Sequence, residues 1–177
     1  PEGIHLTVSD TGWAKSVWGK LYGQWLAETC VFVYDYDRFD PAVLLNIISK
    51  YRITTFCAPP TIYRYFIKED LKKFDLSAIQ WASIAGEPLN PEVFSKFYEA
   101  TGLKLMEIYG QTEITVAVGI YIWMDPKPGS MGKPNPMFDI DLVRENGAPC
   151  DPGEPGELII RTDKGRPVGM FLEYYRD

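Results

Sequence analysis

From Cys30 to Tyr109, short apolar runs alternate with proline-opened helical stretches. This alternation limits the fold more than any other feature of the chain. Cys30 to Tyr34, Ile53 to Ala58, Trp81 to Ala85 and Leu103 to Ile108 read as short buried strands. Between them, Asp40-Pro41 opens a helix with a cap followed by proline in the first turn, and Val43, Leu44, Ile47 and Ile48 give its apolar stripe. Pro60 to Lys68 reads as a short helix, and Asn90-Pro91 opens another that runs to about Ala100. Upstream, Trp13 to Ala27 has helical apolar spacing, with Asp10 or Thr11 available as N-cap. Strand–helix alternation of this kind is the pattern of a parallel sheet covered by helices.

After Tyr109 the pattern changes. A second apolar run, Thr115 to Ile122, is followed by Pro- and Gly-rich turns that separate Asp125 to Pro136, Met137 to Arg144, Asn146 to Gly156 and Glu157 to Thr162. The expectation is an α/β fold: a parallel sheet with covering helices, followed by a short antiparallel β subdomain. Residues 1–114 would form the α/β part and residues 115–177 a partial β-rich part. The seam lies within one compact unit, because no linker, repeat or low-complexity segment separates the two.

Composition narrows the function classes. The 177 residues are 46% hydrophobic and 24% charged, which describes a folded chain and not a disordered one. A net charge of −6 with no basic run argues against nucleic-acid binding, which needs clustered Lys and Arg. Cys30, Cys57 and Cys150 are far apart, and His5 is the only histidine, so zinc chemistry is not expected. Three separated thiols fit a reducing, cytoplasmic setting. No apolar stretch has the length of a membrane span. The first residues, Pro1-Glu2-Gly3-Ile4, lack an initiator methionine and a signal-peptide pattern, and the chain reads as an internal fragment of something longer.

The chemistry concentrates in Tyr109-Gly110-Gln111-Thr112-Glu113, between two apolar runs. A ring to stack on a base, a hydroxyl for a phosphate and a carboxylate for Mg²⁺ stand within five positions. Upstream lies Ala85-Gly86-Glu87-Pro88-Leu89, after the preceding strand. Ligands of α/β sheets bind at the carboxyl ends of strands, so the two loops are expected to face one crevice. Taken alone, Gly86-Glu87-Pro88 reads as a turn before the Asn90 cap and no more. Downstream, Gly153-Glu154-Pro155-Gly156-Glu157-Leu158-Ile159-Ile160 reads as a turn and a strand.

With all three motifs in this order, the chain resembles the adenylate-forming superfamily over nearly its whole length, and medium-chain acyl-CoA synthetases in particular. Ser9-Asp10-Thr11-Gly12-Trp13, Ala58-Pro59-Pro60-Thr61-Ile62-Tyr63-Arg64 and Arg166-Pro167-Val168-Gly169-Met170-Phe171 fit that group. The resemblance implies ATP or AMP, Mg²⁺ and CoA as cofactors, and a small carboxylic acid as substrate. It implies that Gly86, Glu87, Pro88, Glu107, Tyr109, Gly110, Gln111 and Thr112 contact the nucleotide, with adenine between the Gly86 loop and Tyr109. Thr112 would meet the α-phosphate, and Glu113 would hold the Mg²⁺ of MgATP; these two are the catalytic pair. The substrate carboxylate is itself the nucleophile, so no Ser-His or Cys-His arrangement is required.

Gly110 and Trp13 are expected in the acyl pocket. In acetyl-CoA synthetases the position matching Gly110 is a tryptophan that closes the pocket, so glycine leaves room for a longer acid. Amino-acid-activating members carry an aspartate where Trp13-Ala14-Lys15 places Ala14, which argues against an amino-acid substrate. The superfamily's Ser/Thr/Gly-rich phosphate loop, its Tyr-x-Thr-Gly-Asp element and its C-terminal lid domain are not in this sequence. The chain by itself is therefore expected to be inactive, and left-over apolar surface could make it self-associate into a homo-oligomer. An aryl- or short branched-chain acyl-CoA ligase and a non-catalytic nucleotide-binding module stand as the alternatives.

Overall fold

Alternating strands and helices are found in the computed structural model, which describes residues 3–176. The strands are β1 (Ile4–Thr7), β2 (Cys30–Val31), β3 (Thr55–Ala58), β4 (Trp81–Ala85), β5 (Leu105–Gln111), β6 (Thr115–Gly119), β7 (Lys133–Pro134), β8 (Ile140–Val143) and β9 (Glu157–Ile160). The large sheet has the order β2-β1-β3-β4-β5-β6-β7, and β8-β9 form a separate pair. β1 to β5 run parallel. β6 and β7 add antiparallel. A π-helical stretch, Lys15–Tyr22, runs into α1 (Gly23–Leu26); α2 (Pro41–Lys50), α3 (Pro60–Phe66) and α4 (Pro91–Thr101) follow.

Each long helix starts where its sequence provides a cap. The Asp40 carboxylate accepts from the Val43 amide at 3.0 Å, and Pro41 loses nothing at a position whose N–H has no helical partner. The Asn90 side chain does the same for the Glu92 amide at 2.8 Å, and Gly102 ends α4 in the left-handed region at φ 72°.

Side chains alternate across each strand, and the two faces of the sheet differ. Leu6, Phe56, Ala58, Ala82, Ile84 and Leu105 turn to one face, where they form a single cluster with apolar residues of α2, α3 and α4. Tyr63 is fully buried there, and its hydroxyl donates to the Ser83 carbonyl at 3.2 Å. The opposite face carries His5, Thr7, Thr55, Cys57, Trp81 and Ser83, which line a cavity together with Lys15 and Trp18 of the π-helical stretch. A second, smaller cluster joins Ile114, Ala117 and Val118 to Ile140, Leu158 and Ile160 of the two-stranded sheet.

Several expectations need correction. The helix expected from Trp13 begins at Lys15, and neither Asp10 nor Thr11 caps it; the Asp10 carboxylate instead accepts from the Gly12 amide at 2.7 Å. The Cys30 to Tyr34 strand is only Cys30–Val31, a partly exposed edge and not a buried strand. Val43 is 44% exposed and Leu45 joins Leu44 and Ile48 in the core, so the α2 stripe is rotated by a little less than a quarter turn from the reading. β5 continues through Gln111, so Tyr109, Gly110 and Gln111 are strand residues and only Thr112 to Ile114 form the connecting turn. β6 and β7 stay hydrogen-bonded to the large sheet, and of the later expected strands only Lys133–Pro134, Ile140–Val143 and Glu157–Ile160 form. Asn146 to Gly156 contributes no strand, only a single bridge from Pro149 to Val143.

Candidate active site

β4 and β5 lie side by side with Ala85 opposite Ile108, so the loops that leave them emerge together at one edge of the sheet. Gly86 has φ 103°, a conformation that side chains rarely adopt, and it turns the chain out of β4. Glu87, next to it, is engaged away from the cavity. Its carboxylate takes the Arg64 guanidinium at 2.6 Å and the Thr61 hydroxyl at 2.9 Å. Glu107 is buried beneath this loop and accepts from the Leu89 amide at 3.2 Å. Burial raises its carboxyl above the ordinary glutamate value, and the Leu89 amide partly offsets that.

The β5–β6 hairpin brings the other motif to the same edge. A bulge falls between Tyr109 and Gly110. A Cβ at Gly110 would lie 1.6 Å from the Thr115 carbonyl oxygen, so the two strands close on each other only because this residue is glycine. Thr115 has φ 54°, an outlier for a β-branched residue, and this strain lies at the end of the Thr112–Ile114 turn. The Glu113 carboxylate accepts from the Tyr174 hydroxyl at 2.9 Å, and its carbonyl accepts from the Phe171 amide at 2.7 Å. The segment from 170 to 174 thereby fastens the turn.

A cavity of about 620 Å³ opens on the face opposite α2, α3 and α4, within the range of small-molecule sites. Gly86, Gly110, Gln111, Thr112 and Glu113 stand at its rim, and Trp13 lines it as well. Tyr109, Glu87, Pro88 and Glu107 do not line it. Alternation along β5 explains the split: Ile108 turns to the cavity, while Glu107 and Tyr109 turn to the other face. There Tyr109 packs against the Ile114–Val118 cluster, and its hydroxyl is 3.4 Å from the Gln111 amide. The two loops therefore do not face one crevice with all their residues: Gly86 and residues 110–113 border the cavity, while Tyr109 packs on the other side of the strand.

The family model for AMP-binding enzymes matches residues 3–175. The chain belongs to the AMP-binding enzyme family. It is 41% identical over 174 residues to the human mitochondrial acyl-coenzyme A synthetase ACSM3, covering 98% of this chain and 30% of that protein. Against human mitochondrial ACSM4 it is 40% identical over 171 residues, covering 97% of this chain and 30% of that one. The crystal structure of a Brucella canis acyl-CoA synthetase superposes with a TM-score of 0.88 at 27% identity, over 99% of this chain and 33% of that chain. An anthranilate CoA ligase, AuaEII, in complex with anthranoyl-AMP shares the fold with a TM-score of 0.85 at 23% identity, over 93% of this chain and 32% of that one. The chain thus spans about a third of the length of the proteins it matches.

Most of the cavity wall was not singled out from the sequence. Lys15 reaches across the rim, where its ammonium donates to the Ala85 carbonyl at 3.0 Å. Burial lowers its pKa from the ordinary lysine value, against the pull of Cys57 and Glu87. Cys57 is a cavity residue, not only a structural thiol; burial raises its pKa, and contact with Ser83 counters the rise. The usable signal was the polar alternation of His5/Thr7, Thr55/Cys57 and Trp81/Ser83, unusual for strands expected to be buried on both faces.

Proposed function

We propose that this chain is the acid- and nucleotide-binding part of an AMP-forming acyl-CoA synthetase acting on a medium-chain carboxylic acid. The observation that carries the reading is the Thr112–Glu113 turn at the rim of a 620 Å³ cavity, with Tyr109 on the far side of the same strand. The acid lies in the cavity with its carboxylate at the rim. The adenine of ATP stacks on Tyr109 against the Gly86-Glu87-Pro88 loop. The acid's carboxylate oxygen attacks the α-phosphorus, and pyrophosphate leaves with the electron pair of the broken P–O bond. CoA thiol then attacks the acyl carbonyl, giving the thioester and AMP. Bringing two anions together requires donors at the meeting point, and the Thr112 hydroxyl is one.

The other site residues take these roles within the same proposal. Gly110 and Gln111 place the Thr112 turn, and Glu107 acts through Leu89 by holding the Gly86 loop. Trp13 lines the acyl end. Glu113 would hold Mg²⁺, which neutralises phosphate charge when bound. Among the described residues no three His, Cys, Asp or Glu are grouped as a metal cage. A single carboxylate completed by phosphates is the donor set that suits Mg²⁺.

Trp13, Trp18 and Trp81 around the cavity favour one second reading, an aromatic acid as substrate. A division of the chain at 114/115 and a cytoplasmic location remain part of the proposal. Among the described residues no helix is long and apolar enough to cross a membrane, and all three cysteines are free.

The test is acid-dependent ATP–pyrophosphate exchange by the native-length protein with linear acids from acetate to octanoate, a short branched acid and benzoate. An optimum at four to eight carbons supports the proposal, and a benzoate optimum moves the substrate to aryl acids. No exchange with any acid, alongside tight AMP binding, replaces the enzyme with a nucleotide-binding module.

A further inference from the structure

The cavity changes character with depth. Trp81, Ser83 and Ala85 of β4 all line it, so it extends from the rim by four strand residues, ~13 Å at about 3.3 Å per residue. Neighbouring strands put His5 and Thr55 level with Trp81, and Thr7 and Cys57 level with Ser83. Ile108 and Val116 wall the upper part, and the lower levels carry a floor of the histidine and two threonines beside Trp81, Cys57 and Ser83.

That floor is a single hydrogen-bonded chain. His5 Nδ1 is 2.7 Å from the Thr55 hydroxyl and His5 Nε2 is 2.6 Å from the Thr7 hydroxyl. The ring is buried, and its pKa is pulled down to about 4 by burial and then by Lys20, so it is neutral near pH 7. A neutral imidazole has one N–H and one bare nitrogen, so one threonine accepts from the ring and the other donates to it. The accepting threonine keeps its own O–H, and the donating one keeps a lone pair. Among the described residues, no protein group other than His5 engages either hydroxyl. The floor therefore offers a donor and an acceptor to whatever lies above it. A hydrocarbon tail leaves both unmet, which is unfavourable for buried polar groups.

We propose that the His5–Thr7–Thr55 floor is a polar subsite that selects acids carrying a ketone or hydroxyl oxygen near the far end of the chain. It deepens the synthetase reading and rests on it for the direction in which the acid enters. The Thr7 level lies two strand residues, ~7 Å, below Ala85. An extended chain of five carbons advances about 5 Å, roughly 1.25 Å for each C–C bond of about 1.5 Å, and a hydrogen bond of about 2.8 Å from the oxygen on the fifth carbon closes the rest. Hexanoate and 5-oxohexanoate are therefore the matched pair: equal in carbon number, different only in the oxygen that meets the floor.

Two measurements test this separately from the synthetase reading. In exchange by the native-length protein, 5-oxohexanoate should exceed hexanoate by about tenfold in kcat/KM, and Thr7→Val should bring that ratio to one or below. A parent protein that prefers hexanoate, or uses both equally, overturns the subsite while leaving the synthetase. In the 177-residue chain, the lone histidine gives one set of imidazole NMR signals. These should shift saturably with 5-oxohexanoate and much less with hexanoate. Shifts of this kind without any exchange keep the subsite and overturn the synthetase; equal shifts, or none, overturn the subsite.

Discussion

The two faces of the large sheet are made from alternate residues of the same strands, yet they have opposite characters. On one, Leu6, Phe56, Ala82, Ile84 and Leu105 are at most 3% exposed and interlock with three helices. Each of these leucine, isoleucine and phenylalanine side chains contributes about 1.5–3 kcal/mol by leaving water, and the Ala82 methyl less. On the other, His5, Thr7, Cys57 and Ser83 are nearly as inaccessible but border a cavity instead of filling one. Inaccessibility alone does not identify a core. Space without packing partners, lined by polar groups, is what a ligand can complete.

Gly110 is the point where the cavity side stops being loose. A methyl group there meets the Thr115 carbonyl oxygen 1.6 Å away, and a backbone atom has no rotamer to escape into. Gly110→Ala should therefore remove about 4–5 kcal/mol, at the upper end for point changes, or prevent folding. The urea midpoint measures this. A loss under about 1 kcal/mol would mean that the hairpin opens freely. The same geometry alters the meaning of the glycine: it is demanded by the bulge first, and any extra room for acid follows from that.

Adjacent residues of β4 give the next contrast. Ile84 is fully buried on the helix face, and Ile84→Ala should cost about 3–4 kcal/mol by leaving a cavity. Ser83 faces the other way, and Tyr63 bonds to its carbonyl, not its side chain. Ser83→Ala should cost no more than about 1 kcal/mol. Equal losses in thermal unfolding would erase the distinction between the faces.

How much of this was legible depended on which signal the sequence carried. The Asp40 and Asn90 caps were readable because cap chemistry is local, and Trp81–Ala85 was readable because its apolar run is bounded by turns. The Lys15–Tyr22 stretch was misread because a 3.6-residue period was applied to a π-helix, whose turns are wider. Gly110 and Gln111 looked like loop because neither favours strands; partner β6, which follows them in the chain, makes them strand. The motifs at 86–88 and 109–113 stood out in the sequence by their residue types, but not that one strand's alternation sends Tyr109 and the cavity to opposite sides. Facing depends on register, and register is a tertiary property.

The cavity face should also respond to pH in a way the helix face does not. His5 has a folded pKa of about 4 against an ordinary value of 6.5. Above pH 6.5 the ring is neutral in both states and contributes nothing. Between 6.5 and 4 only the unfolded chain takes the proton, so stability falls as pH falls, by about 3 kcal/mol at 1.36 kcal/mol per unit. Below 4 this contribution levels off. Urea unfolding of the parent and of His5→Asn across this window should show the extra slope only in the parent. Parallel curves would mean that the floor is open to water.

The smallest expected effect separates the helices that cover the two faces. α2 begins at Asp40, which has extended backbone angles, φ −133° and ψ 116°, and a carboxylate that accepts from Val43. Asp40→Ala should cost about 1 kcal/mol. The Lys15–Tyr22 helix begins after Ala14, which is already helical at φ −52° and ψ −35° and makes no side-chain cap. A serine there cannot reach back to the first amides, because capping needs the extended conformation that Asp40 has and Ala14 lacks. Ala14→Ser should therefore change stability by less than about 0.5 kcal/mol. A gain near 1 kcal/mol would show that the helix can restart at position 14 in ordinary α geometry. The cavity-side helix would then be as conventionally built as those on the packed face, and its different winding would not belong to the cavity.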